Sequence, residues 1–182
     1  MTGAESKMPI ELLRQLVECD QNGNLTWLPR TKETHSGRDV HRWNTRYAGK
    51  PALTARCTKG YFTGSIHSMR FFAHRVVWAL HHGAWPSMFI DHINGKAADN
   101  RIENLRDVSN SENARNAKTY STNTSGRTGV HYQTALRKYA AYIRVADRKM
   151  HLGFYDNLDD AIAARVTAER AHGFHENHGR AR

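Results

Sequence analysis

The stretch "DHINGKAADNRIENLRDVSNSEN", residues 91–113, decides how this chain is read. Five of its 23 residues are asparagine (Asn94, Asn100, Asn104, Asn110 and Asn113), and it opens on an adjacent carboxylate and imidazole, Asp91-His92. "MFIDHI" (88–93) reads as a strand and "NLRDV" (104–108) as its partner, with "NGKAADNRIE" as a long turn between them. "SNSENARNAK" (109–118) then begins a helix, with Ser109 or Asn110 as cap and Glu112 in the first turn. The plan is strand, loop, strand, helix. Successive residues of an ideal strand point to opposite faces, so Asp91 and His92 address one site only where the strand twists or ends.

The residue types suggest a chemistry. The Asp91 carboxylate and the Asn113 amide oxygen are hard ligands. With water and phosphate oxygens they suit a Mg²⁺ held mainly together with its substrate. A neutral imidazole titrates near neutrality, so His92 is the natural general base. Metal, base and phosphate together define in-line hydrolysis of a phosphodiester. A structural Asp-His pair accounts for the same two residues, and at this level both readings stand. The other residues have plainer roles. Asn94 and Gly95 suit a turn, Asp99 and Asn100 suit hydrogen bonds within the loop, and Asn110 suits a helix cap. His74 reads as a structural histidine.

The spacing narrows the choice. "AHRVVW" (73–78), "DHINGKAADNRIENLR" (91–106) and "SEN" (111–113) closely resemble the HNH, or ββα-metal, nucleases, and more narrowly the phage and intron-encoded homing endonucleases. Asn104 follows His92 by 12 positions and Asn113 follows it by 21, the offsets of that family. The resemblance covers about residues 60–117. It implies Asp91 and Asn113 as metal ligands and His92 as general base. It implies Asn104 as the asparagine that braces the loop and orients His92. Aspartate stands first where some members have histidine, which suits magnesium or manganese better than a soft metal. One ion per site and no zinc are expected.

Outward from this segment, the chain has 182 residues, enough for one medium domain or two small ones. Its formal net charge is +10, which favours a polyanionic partner. Residues 1–120 hold 17 Lys/Arg against 11 Asp/Glu, and residues 121–182 hold 10 against 6, so the excess of +6 and +4 is spread over both parts. Cys19 and Cys57 form no CxxC and no metal spacing, and they predict a reduced compartment. No apolar run approaches a membrane span, and "MTGAESKMP" (1–9) lacks the core of a signal peptide. A cytoplasmic location is expected, that of a bacterial host if the gene is phage-encoded.

"PIELLRQLVECD" (9–20) has helical spacing, and "NGNLTW" (22–27) reads as a turn into a strand. Residues 29–50 carry Arg30, Lys32, Arg38, Arg42, Arg46 and Lys50 without a clear period and read as a loop able to track phosphates. "GYFTGSIHSMRFFAHR" (60–75) predicts a hairpin turning at "HS", and "RVVWALHHGAWP" (75–86) a helix stopped by Gly83. "KTYSTNTSGRTG" (118–129) is the linker candidate.

Beyond it, "GVHYQ" (129–133), "RKYAAYIRVA" (137–146) and "RKMHLGFY" (148–155) predict three short strands. "NLDDAIAARVTAERAHG" (157–173) predicts a helix capped by Asn157, with Ala161, Ala164, Ala168 and Ala171 as a small-residue face. Through "GV", "KYAAYIR" and "HLGFYDNLDDAIAA", residues 125–173 resemble the Apetala-type (ethylene-response-factor) DNA-binding domain of plants. That likeness implies a three-stranded antiparallel sheet on one helix, with the sheet in the major groove. Alternation places Tyr139, Ala141, Ile143 and Val145 toward the helix, and Tyr142 and Arg144 toward DNA. By resemblance His131, Gln133, Lys149 and His151 occupy contact positions. Arg137 and Lys138 lie near the turn, where they would meet phosphate. The plant domains place arginines and tryptophans where this chain has His131, Gln133, Tyr142 and His151, so their recognition sequence is not carried over; glutamine prefers adenine.

The expected class is α+β: a ββα-metal HNH core with an N-terminal β-hairpin extension, plus a three-stranded sheet packed on one helix. The expected division is an endonuclease domain at 1–117 (motif core 74–117), a linker at 118–127 and a DNA-binding domain at 128–178. The expected activity is homing-type, Mg²⁺-dependent hydrolysis of double-stranded DNA by a monomer with no protein partner evident and no membrane. The rivals are a non-catalytic DNA-binding regulator and an RNA-directed nuclease. The intact Asp91, His92, Asn104 and Asn113 set argues against the first.

Overall fold

The computed structural model describes residues 3–34, 40–109, 112–113, 123–145, 148–174 and 178, and the chain divides into two compact units, Met1–Asn110 and Ser111–Arg182. In the first unit, helix α1 (Ile10–Leu16) buries Ile10, Leu13 and Leu16. It ends earlier than its periodicity suggests. Val17 adopts extended backbone and begins strand β1 (Val17–Cys19), which pairs antiparallel with β2 (Leu25–Trp27). β-Branched Val17 gains a cross-strand partner, Trp27, that one more helical turn would not give it.

The basic stretch after β2 is not all loop. Helix α2 (Val40–Tyr47) occupies part of it. Its period is hidden because none of its residues is buried and its inward contacts come from Trp43 and Asn44 rather than from aliphatic side chains. The Arg30 guanidinium lies 3.8 Å from the Trp43 ring centroid, and the Trp43 ring lies 5.8 Å from that of Trp27 in an edge-to-face contact. Arg30 thus spends its charge on indole faces and is buried. Arg38 lies outside the described residues.

Strands β3 (Ala55–Arg56), β4 (Phe62–Ile66) and β5 (Met69–Phe72) form an antiparallel sheet in that order. The β4–β5 turn falls at His67-Ser68, both with positive φ (47° and 63°), which is the two-residue geometry a twisted hairpin prefers. Helix α3 (Ala73–His82) follows directly and closes on Gly83 in the left-handed conformation. It buries Val76, Val77 and Ala79 against α1, Ile66, Phe71 and Leu105 in the core of this unit. Strand β6 (Phe89–His92) pairs antiparallel with β7 (Leu105–Val108).

In the second unit, β8 (Val130–Gln133), β9 (Lys138–Val145) and β10 (Arg148–Tyr155) form an antiparallel sheet with β9 in the middle, and helix α4 (Leu158–Ala171) packs on it. The Asn157 side chain caps α4 by accepting from the Asp160 amide at 2.8 Å. Val130, Ala141 and Ala161 form the core, with Tyr139, Leu152, Tyr155 and Ile162 against it. The buried stripe of α4 is Ala161, Arg165 and Glu169, not a run of alanines; Ala171 is exposed. Arg165 and Glu169 pair at 2.7 Å, Arg127 also donates to Glu169, and Arg165 donates to the Tyr142 carbonyl. A register shift between His151 and Gly153 changes the alternation of β10. Gly153 carries φ +142°, which favours glycine, and past it Phe154 falls on the same face as His151 while Tyr155 turns to the helix.

Candidate functional site

The β6–β7 hairpin is clamped before it reaches the chemistry. Arg75, in the first turn of α3, donates to both carboxylate oxygens of buried Glu5, to the Met88 carbonyl at 2.7 Å and to the Pro86 carbonyl at 3.2 Å. Asp107 accepts from the Ser87 amide, the Ser87 hydroxyl and the Met88 amide at 2.7, 2.8 and 3.0 Å. These contacts fix the entry into β6. Arg75, without a definite role in the sequence, is thereby a structural clamp.

Asp91 and His92 end β6, opposite Arg106 and Leu105 of β7. Asp91 Oδ2 accepts from Arg106 Nε at 2.9 Å and from Nη2 at 2.7 Å. His92 sits on the α3 side of the strand. Its ring is 5.2 Å from His74, edge to face, and 5.6 Å from Tyr61, and Asn100 Oδ1 lies 3.1 Å from its Nε2. Burial pushes the His92 pKa below its ordinary value, against smaller opposing effects of Asn100, Asp91 and Asp99. The ring is therefore neutral at pH 7, the state a general base requires. His74, also buried, is pushed down to about 3 by burial, then by His92 and Arg75. Tyr61 is pushed up by burial and by the Asp91 charge. The neutral His74 ring and the Tyr61 phenol thus wall the His92 imidazole.

Asn104 closes the base of the long turn. Its Oδ1 accepts from the Asn94 amide at 3.0 Å, its Nδ2 donates to the Asp99 carbonyl at 2.7 Å, and its own carbonyl accepts from the Ile93 amide at 2.9 Å. Asn100, which the sequence marks only for bonds within the loop, is a side chain that meets the His92 ring. Asp99 accepts from Asn94 and Arg101, and these bonds hold its carboxyl well below the usual range, Arg101 contributing most. Arg106 and Tyr61 carry no signal of their own in the sequence: pairing across the hairpin brings Arg106 to Asp91, and the β3–β4 turn brings Tyr61 to the His92 ring.

Asn113 is helical and half-buried and falls in the second unit; Asn110 and residues 114–122, which include most of the expected helix and the start of the expected linker, lie outside the described residues. Among the described residues no group of three His, Cys, Asp or Glu side chains is placed to hold a metal ion. The donor chemistry of Asp91, a buried carboxylate at the end of a strand, fits a hard cation held largely by its substrate.

The other sequence-named residues lie on the sheet of the second unit, except Arg137, which lies in the β8–β9 turn. His131, Arg137, Arg144, Lys149 and His151 are exposed, while Gln133, Lys138 and Tyr142 are half-buried. The Tyr142 ring stacks on His131 at 5.4 Å and meets His151 at 4.8 Å, with Lys149 Nζ 3.9 Å from its centroid. Tyr139, Ala141 and Ile143 face the other way, into the helix-covered side. Lys138 is paired with Asp156 at 3.1 Å, but the Asp156 carboxylate is largely exposed, and such a surface pair yields readily to a phosphate.

Residues 71–115 match the family model described as HNH endonuclease. No curated protein and no solved structure matches the chain. The match covers α3, β6, β7 and the turn between them, and it supports an HNH nuclease core acting as an endonuclease on DNA. No helix among the described residues is long and apolar enough to cross a membrane.

Proposed function

We propose that this chain is a site-specific, homing-type DNA endonuclease that hydrolyses one phosphodiester of duplex DNA as a monomer, leaving a nick. What carries the reading is the neutral His92 beside Asp91 at the end of β6, inside the segment matched as HNH endonuclease. His92 takes the proton of the attacking water. Asp91 and Asn113 would hold a single Mg²⁺ or Mn²⁺, which supplies Lewis-acid stabilisation of the leaving oxygen when bound. Asn104 keeps the loop closed around His92. Arg106 neutralises Asp91 until the cation arrives, and then has a guanidinium to offer a phosphate.

In this reading residues 1–117 cut, 118–127 link, and 128–178 form an Apetala-type module that positions the cut. His131, Gln133, Tyr142, Arg144, Lys149 and His151 contact the groove, and Arg137 and Lys138 meet phosphate. The exposed basic face of the sheet and the +10 charge favour such a footprint. The test is supercoiled plasmid bearing candidate targets, with Mg²⁺ or with EDTA. Metal-dependent nicking is expected, abolished by His92→Ala and strongly reduced by Asp91→Ala. Binding without cleavage in every divalent metal would instead identify a non-catalytic DNA-binding regulator.

A further inference from the structure

We propose that helix α2 is a DNA-binding element of the first unit, meeting the phosphate backbone of a duplex through Arg42 and Arg46. The partner, duplex DNA, rests on the endonuclease reading above; the helix lies outside residues 71–115, the matched segment. No Asp or Glu occurs in residues 40–90, whereas 17 acids in 182 residues would put about five in a block of that length. The same block holds seven Lys/Arg and so carries +7 of the net +10. Arg75 pairs with Glu5, while Arg42, Arg46, Lys50, Arg56, Lys59 and Arg70 are exposed. A cationic surface is ordinarily just solvated. In α2, however, the backbone is fixed so that the charges face outward.

None of the eight residues of α2 is buried, so an apolar core does not hold it. Polar anchors do. The Arg30 amide donates to Asn44 Oδ1 at 2.8 Å, Asn44 Nδ2 donates to the Arg30 carbonyl at 3.0 Å, and the Trp43 ring takes the Arg30 guanidinium. Just past the helix, the Gly49 amide donates to the Trp27 carbonyl at 2.8 Å, and the Lys50 carbonyl accepts from the Trp27 amide at 3.0 Å. At about 100° per residue, these anchors place Val40, Trp43, Asn44 and Tyr47 on the inner side and His41, Arg42, Thr45 and Arg46 on the outer. Val40, Trp43 and Asn44 are half-buried, and all four outer residues are exposed. Thr45 turns its hydroxyl back to the His41 carbonyl at 2.9 Å, which leaves arginine as the charge of this face. The Arg46 guanidinium rests 5.4 Å from the Tyr47 ring centroid and meets no carboxylate in a salt bridge among the described residues. A helix tuned for its own stability carries acid in its first turn, yet α2 has none there and places Arg42 near that end. Arg42 and Arg46 are about 6 Å apart along the axis at 1.5 Å per residue. One strand of a duplex presents a phosphate about every 3.4 Å of its axis, so the pair spans neighbouring phosphates.

The experiment measures binding apart from catalysis. The full chain, in EDTA, is titrated onto a fluorescent random-sequence duplex across a salt series, with a thermal melt of each variant. Replacing both Arg42→Gln and Arg46→Gln should lower the slope of log binding constant against log salt by about 2, at about 0.9 per phosphate. Affinity at about 0.1 M salt should fall about 10- to 100-fold, alike on random and candidate target duplexes. Arg46→Lys should keep the wild-type slope, because an ammonium also serves phosphate as a point charge. Thr45→Glu, which adds an anion to the same face, should weaken duplex binding and leave the melting temperature unchanged. An unchanged slope in the double variant with its melt intact overturns the proposal, as does a loss confined to single-stranded RNA of the same sequence. If the double variant melts early, Thr45→Glu decides, and wild-type affinity there overturns the proposal. Nicking is scored separately: a wild type that binds duplex but cuts nothing with Mg²⁺ would sink the endonuclease reading, while the salt slopes would still decide the role of α2.

Discussion

Arg106 places two N–H groups on a single oxygen of Asp91, the carboxylate proposed to take the metal. A largely buried carboxylate needs a partner, so the pair stabilises the metal-free fold. The same cation opposes a divalent ion electrostatically. Arg106→Ala should therefore lower the melting temperature of the metal-free protein, by about 1–3 kcal/mol of stability. It should also tighten Mn²⁺ binding several-fold in calorimetric titration. Weaker Mn²⁺ binding in that variant would show that Arg106 helps to assemble the site. His74 gives a second residue-scale expectation. Its folded pKa of about 3 lies below the ordinary histidine value, so the unfolded chain binds the proton first as pH falls. Its contribution is fully present above about 6.5 and is lost at up to about 1.4 kcal/mol per pH unit down to about 3. Urea unfolding of His74→Phe at several pH values should show a flatter acid limb than the wild type.

At the scale of elements, the hairpins and helices with clean periodicity were legible in the sequence. The His67-Ser68 turn, the β6–β7 pair, α3 with its Gly83 stop and the three C-terminal strands stand where alternation and turn chemistry place them. Three things were hidden, each for a stated reason. Helix α2 meets Arg30 through Trp43 and Asn44, so its inward face has no aliphatic signature. The bulge at Gly153 resets the faces of β10, which no strict alternation reveals. Arg165 and Glu169 occupy buried positions of α4 because each satisfies the other, so a helix of mixed charge still packs. Around the candidate site, the sequence names Asp91, His92 and Asn104 through the resembled motif, whereas the contacts that Arg106 and Asn100 make with the first two are visible only in the fold. The α4 pair makes its own prediction. Glu169→Ala leaves Arg165 and Arg127 without their carboxylate, and loss of a buried partner costs about 3–5 kcal/mol. Denaturant unfolding followed by signals from the second unit should register a loss of that size, and a change below about 1 kcal/mol would mean the pair is solvated.

For the whole molecule, the +10 charge is divided between both parts of the chain, so DNA affinity should be a sum of many phosphate contacts rather than the property of one patch. Each phosphate neutralised releases counterion, and the logarithm of the binding constant falls with the logarithm of salt by about 0.9 per contact. Arg144 is exposed on the sheet beside the His131–Tyr142–His151 row, where it meets no carboxylate in a salt bridge among the described residues. Arg144→Ala should weaken duplex binding and, if it contacts phosphate, flatten the salt slope by about one unit. Tyr142→Leu removes the ring that His131, His151 and Lys149 share, and should reduce discrimination between target and random duplex while leaving that slope unchanged. Fluorescence anisotropy across a salt series, on both duplexes, separates the two effects. Unchanged affinity in both variants would remove the sheet from the DNA footprint and leave the charge of the first unit to hold the substrate.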